Sequence, residues 1–132
     1  MRIAWRQWIA ATLLLAAAGA RAQDCGSQDK IPPDKRLSNT AHWTTASEDD
    51  NFGYDVYRSD KQTGPFARVT KQPILGNGTT AETHTYQFVD SDIDPCKDYW
   101  YYIESIASDG TREKFTEAFH APAKRKPDAA KP

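Results

Sequence analysis

Residues 93–107 read IDPCKDYWYYIESIA, from Ile93 to Ala107. Ile93, a spacer and Pro95 set a turn, Tyr99 follows four residues after the proline, and an alternating run completes the stretch. That order predicts a corner at which the chain crosses between the two sheets of a β-sandwich. The Tyr99 ring is expected inside, with its hydroxyl bonded to backbone a few residues upstream. Alternation then sends Tyr99, Tyr101 and Ile103 inward and Trp100, Tyr102 and Glu104 outward.

Outward from the corner, the flanking segments read as strands. Leu37, Asn39, Ala41 and Trp43 alternate with polar residues, the period of a half-buried strand. Phe52–Ser59 is a second strand, expected to bury Tyr54 and Val56 and to expose Asp55 and Tyr57. Phe66–Thr70, Thr85–Asp90 and a returning strand over Arg112–Phe119 follow the same logic, the last after a hairpin turn at Asp109-Gly110. Ser47–Asn51 reads as an acidic turn. Pro73–Thr83 reads as a loop with Asn77-Gly78 as its tight turn. The expectation is one all-β domain of six to seven antiparallel strands.

The first 22 residues have another character. Arg2 and Arg6 precede an apolar run, and Ala20-Arg21-Ala22 supplies small residues at a peptidase's two reading positions. This predicts a signal peptide over 1–22; the run is too short to span a bilayer of about 30 Å comfortably. No further run is long enough to span, so no membrane span is expected after cleavage. Removing Arg2, Arg6 and Arg21 from the 17 basic residues leaves 14 against 18 acidic ones. That balance argues against nucleic acid as a partner and places the protein in a secreted or periplasmic compartment. Exported chains with two cysteines usually pair them, so Cys25 and Cys96 are expected to form a disulfide. Closing that loop removes on the order of 4 kcal/mol of denatured-state entropy. A lipid-modified Cys25 is disfavoured by the polar Gln23-Asp24 before it, and a metal site by the lack of close ligands.

The ordered set of pieces resembles a fibronectin type III domain. The carrying residues are Trp43, Tyr54-Asp55-Val56-Tyr57-Arg58, Gly64-Pro65-Phe66, Phe88-Val89-Asp90, the corner from Ile93 through Pro95, Tyr99, Tyr101 and Ile103 to Ser105, and Asp109-Gly110. The resemblance covers 37–119 and implies an immunoglobulin-like sandwich in which Trp43, Pro95 and Tyr99 are structural. It departs at the first strand, where Pro32 and Pro33 stand. A regular first strand would also hold Cys25 about 20 Å from Cys96, whereas a disulfide needs Cα atoms within about 7 Å. Residues 23–36 are therefore expected to be irregular or a mere edge strand, lying near the corner. Residues 120–132 read as a disordered basic tail carrying Lys124-Arg125-Lys126.

No reactive constellation is evident. His42, His84 and His120 lack metal spacing or a nucleophile beside them, and Asp90, Asp92, Asp94, Asp98 and Glu48-Asp49-Asp50 read as solvated turn acids. No cofactor and no metal are expected. The best candidate surface is aromatic: Tyr57, Trp100 and Tyr102 on one sheet face, a composition suited to interfaces and to stacking on sugars. The bland alternative is cross-strand stabilisation under long neighbours such as Arg58 and Lys114. The expected function is a non-catalytic binding module recognising a protein or glycan of the cell envelope. A hydrolase or protease inhibitor acting through the 73–83 loop is the alternative.

Overall fold

The computed structural model describes residues 25–126. The leader at 1–22 and the last six residues of the tail lie outside the described residues. The fold is an all-β sandwich of antiparallel sheets. Its strands are β1 (Asn39–Thr45), β2 (Glu48–Ser59), β3 (Ala67–Arg68), β4 (Ile74–Thr80), β5 (His84–Asp90), β6 (Tyr99–Ala107), β7 (Arg112–Lys114) and β8 (Phe119–Ala121). β1 and β5 form a two-stranded sheet; the other six form the second sheet, with β2 and β6 at its centre.

The two layers are held by alternation. In β1, Asn39, Ala41, Trp43 and Thr45 are buried and the residues between them exposed. In β6, Tyr99, Tyr101 and Ile103 are buried, while Trp100, Tyr102 and Glu104 are half-buried on the other face. The core joins Trp43, Tyr86, Tyr54, Val56, Ile93 and Ile103. Trp43 stacks on Tyr86 at 5.7 Å and meets the edge of Tyr54 at 5.4 Å. Such offset and edge arrangements are the favoured ones for aromatic quadrupoles. Among the described residues, no helix is long and apolar enough to cross a membrane.

The corner closes on Tyr99, whose hydroxyl accepts the Asp94 N–H at 2.8 Å. Cys25 and Cys96 form a disulfide with a Cα–Cα distance of 5.3 Å, well inside the permitted range. The entering segment is irregular apart from a short 3₁₀ turn at Pro33–Lys35. It is tied to the corner by the Asp94 carboxylate, which accepts the N–H groups of Cys25 (3.0 Å), Gly26 (2.8 Å) and Cys96 (2.9 Å). The buried Gln28 amide brackets Leu37, giving to its carbonyl and accepting from its N–H, and also donates to the Ile93 carbonyl.

Four expectations are corrected. Residues 74–80 are a strand rather than a protruding loop: β4 pairs with the first half of β2. Asn77-Gly78 is accordingly not a tight turn; Gly78, at φ 67°, lies where the pairing shifts register. Gly76 is needed because a Cβ there would meet Asn51 at 2.5 Å. The acidic turn is shorter than expected, since Glu48–Asn51 already belongs to β2, with Asp50 at φ 52° marking a bulge. The returning strand is two strands: the N–H groups of Phe115 and Thr116 both reach the Ile103 carbonyl, which breaks the ladder and turns Phe115 toward Tyr54 at 5.5 Å. Lastly, the tail is ordered through its first part. His120 and Ala121 lie in β8, Ala123 donates to Asp98, and Lys124 and Arg125 donate to the Pro95 carbonyl.

Candidate functional site

The outer face of the six-stranded sheet gathers the aromatic candidates. Register places Tyr57 opposite Tyr102, and Ser59 opposite Trp100. The Tyr57 and Tyr102 rings stack at 4.8 Å and 5°, and Phe66 meets Tyr102 edge-on at 5.0 Å. Lys114 lies over the open side of the Tyr102 ring at 5.0 Å, a cation–π contact. Trp100 shares this face but not this stack: it lies against His120 at 4.8 Å, and His120 in turn reaches Asp98 at 3.3 Å. The cluster is therefore two separate pairs rather than one exposed patch: Tyr57, Tyr102 and Trp100 are half-buried and, of the four, only His120 is exposed. Burial first, then the bond to Glu104, pushes the Tyr57 phenol up from its ordinary value, so it stays a donor.

Asp55, expected to be exposed, is fully buried on this same face. Arg112 covers it from β7 at 2.8 Å and Arg68 from β3 at 3.7 Å, while Thr70 donates a hydroxyl at 2.7 Å. Bonds to Asp55 and Glu104 raise the Arg112 guanidinium above its ordinary value. The face thus presents Arg68, Arg112 and Lys114, each at least 40% exposed, around a ring surface.

Arg58 does not cover this face. Strand alternation turns it inward, where it binds Asp90 at 2.8 Å and lies over Tyr99 at 5.2 Å. Asp90 also accepts the Tyr101 hydroxyl at 2.7 Å, and Asn39 donates to that hydroxyl at 3.0 Å. Asp90 and Asp94 are buried hubs, not solvated turn acids; buried carboxylates require such donors.

The same holds for Glu48 at the other pole. Its carboxylate accepts from Tyr86 (2.6 Å), Thr45 (3.2 Å), the Asn77 N–H (3.4 Å), Tyr54 (3.5 Å) and Asn51. Burial alone would raise its pKa, but these bonds outweigh burial and hold it below the ordinary carboxylate value. A cleft of about 320 Å³ adjoins it, walled by Tyr54 and Phe115 and carrying Asp49, Asp50 and Glu113. Among the described residues, the one group with metal-ligand proximity is Cys25, Asp94 and Cys96. Its sulfurs are joined to each other and its carboxylate holds three N–H groups, so it offers a cation nothing.

No family model and no solved structure matches the chain. It is similar to an amylopullulanase from Thermoanaerobacter thermohydrosulfuricus, 28% identical over 68 residues. Those residues are 51% of this chain and 4% of that enzyme. The chain therefore spans a small part of the relative's length.

Proposed function

We propose that the protein is an exported, non-catalytic binding module of the fibronectin type III kind, which captures a glycan or protein of the cell envelope on the outer face of its larger sheet. The observation that carries this reading is the Tyr57–Tyr102 stack with Phe66 at its edge and Lys114 above it. Rings held in place by a sheet lose little entropy on contact, and three cations surround them. The disulfide suits an oxidising compartment, and the leader suits export. What supports the family reading is the grouping of β1 with β5 opposite a sheet centred on β2 and β6, together with the corner bond from the Asp94 N–H to the Tyr99 hydroxyl. The stretch shared with the amylopullulanase is 4% of that enzyme, so the likeness carries over none of its activity. The inhibitor reading loses its instrument, because residues 74–80 are a bonded strand.

The test is capture from an envelope extract by the immobilised domain. The Trp100→Ala, Tyr102→Ala double variant should weaken capture at least about thirtyfold, the effect of losing an interfacial hot spot. Undiminished capture by a double variant that still folds would remove this reading.

A further inference from the structure

The layers of the sandwich are unequal. β5 covers β2 through Tyr86, which meets Tyr54 at 4.9 Å, and β1 covers β6 through Asn39 and Tyr101. The second edge of β1 therefore looks out over β7 and β8. Among the described residues no strand pairs with that edge, and no turn or loop bond ends on the backbone of Asn39–Thr45. An open edge of seven residues is a template for another chain.

Beneath the edge the inner face of the larger sheet is incompletely covered. Phe115 is 43% exposed, and Phe119 and Ala121 are half-buried. At the Thr45 end lies the cleft of about 320 Å³, whose every charged lining group is a carboxylate: Glu48, Asp49, Asp50 and Glu113. Among the described residues the Glu48 bonds all come from neutral donors, and no cation of those residues pairs with it. An acid-rimmed cleft with two aromatic walls suits a long cationic side chain, whose stem packs on rings and whose head meets carboxylates.

We infer that an extended segment of a partner protein, bearing a lysine or arginine, adds to the open edge of β1 as a third strand and places that side chain in the Tyr54–Phe115 cleft. Main-chain bonds would supply affinity and the cleft specificity, as in other strand additions. Charge selects the occupant: an acidic or neutral segment would leave the carboxylates uncompensated. This inference is independent of the outer-face reading, which uses the opposite side of the larger sheet.

The probe is a synthetic peptide of about nine residues, long enough to span β1, with alternating threonine and valine and a central lysine; its control carries glutamate instead. Binding is read by fluorescence anisotropy, and its place by amide hydrogen exchange. The lysine peptide should bind at least about tenfold more tightly than the control, the difference expected for a charge-assisted contact, and should slow exchange at those amides of 39–45 that point away from β5. Glu113→Lys, on an exposed strand, should abolish that preference, and the Trp100→Ala, Tyr102→Ala variant should leave it intact. Absence of binding, equal binding of both peptides, or protection at β4 or β8 in place of β1 would overturn the inference. So would slow exchange, without peptide, at those amides of 39–45 that point away from β5. In that case comparison of chains with and without residues 1–22, together with sedimentation, assigns the edge to the chain's own segment or to a second copy.

Discussion

Glu48 offers the sharpest test of what joins the two layers. Its carboxylate bonds residues of β1, β2, β4 and β5, so one side chain spans both sheets. Glu48→Gln keeps the shape and removes the charge. One oxygen becomes an amide nitrogen that faces donors. If it replaces Oε1, the Asn77 N–H loses an acceptor and cannot reverse, and the Asn51 amide must flip to present its oxygen. If it replaces Oε2, the Thr45 and Tyr86 hydroxyls must turn to accept, and Tyr86 already accepts from Asn77 at 2.6 Å. Either way about one charge-assisted bond is lost outright, which costs roughly 2–3 kcal/mol at pH 7. For a domain of this size that lowers Tm by roughly 10–20 °C. The folded pKa lies below the unfolded value of about 4.3. The carboxylate's contribution is therefore complete above about pH 5 and is lost as pH falls through 4.3 toward the folded value. Thermal unfolding of both proteins by circular dichroism at pH 7 and near pH 3 should show a gap that narrows in acid. A gap of the same size at both pH values, or a variant within about 0.5 kcal/mol of the parent at pH 7, would refute the reasoning.

Other substitutions test other joints. Tyr99→Phe deprives the buried Asp94 N–H of its acceptor and should cost about 1–3 kcal/mol by urea denaturation. Reducing the disulfide frees a chain span of 71 residues and should lower stability by about 4 kcal/mol in the same assay; an unchanged midpoint would count against it. Arg112→Ala leaves Asp55 fully buried with one distant guanidinium, and should cost roughly 2 kcal/mol or more after discounting for solvent at the half-exposed arginine. Arg68→Ala, losing a contact at 3.7 Å, should cost under about 1 kcal/mol. Equal effects from the two arginines would contradict the geometry.

The corner and its alternating strand were legible because steric period and turn chemistry are local. Tyr99, Tyr101 and Ile103 lie inside and Trp100 and Tyr102 outside, as their spacing indicates. The carboxylates were not legible. Asp55, Asp90, Asp94 and Glu48 look solvated in sequence, yet each has a decisive partner far along the chain: Arg112 for Asp55, Tyr101 for Asp90, Cys25 for Asp94 and Tyr86 for Glu48, 11 to 69 positions away. Burial of a charge is a property of the assembled sheet, and no local pattern records it. β4 was hidden for a related reason. Gly76, Asn77 and Gly78 carry turn chemistry, yet here the glycines allow β2 to approach closely and bulge. Arg58 is the opposite case: alternation from Tyr57 already turned it inward, and only its charge suggested otherwise.

The staple and the open edge are two consequences of one arrangement. Cys25 is fixed to Cys96 at the corner, and Asp94 holds Cys25 and Gly26 there as well. β1 begins at that same pole, since Asn39 faces Asp90 at the end of β5. The segment between therefore starts and finishes in one place, and Gln28 fastens its two arms together by bonding both backbone groups of Leu37. Pro32 and Pro33 turn it there. A chain so tethered cannot also run the length of β1, about 23 Å at 3.3 Å per residue. The corner is thus closed by disulfide, carboxylate and tyrosine together, whereas at the far pole the Glu48 bonds join the two layers but no described residue covers Phe115 and the acidic cleft. A sandwich that needed its own first strand would not fasten that strand's residues to the opposite end. Among the described residues the open edge of β1 therefore follows from the covalent framework, and any strand that completes the smaller sheet must come from outside residues 25–38.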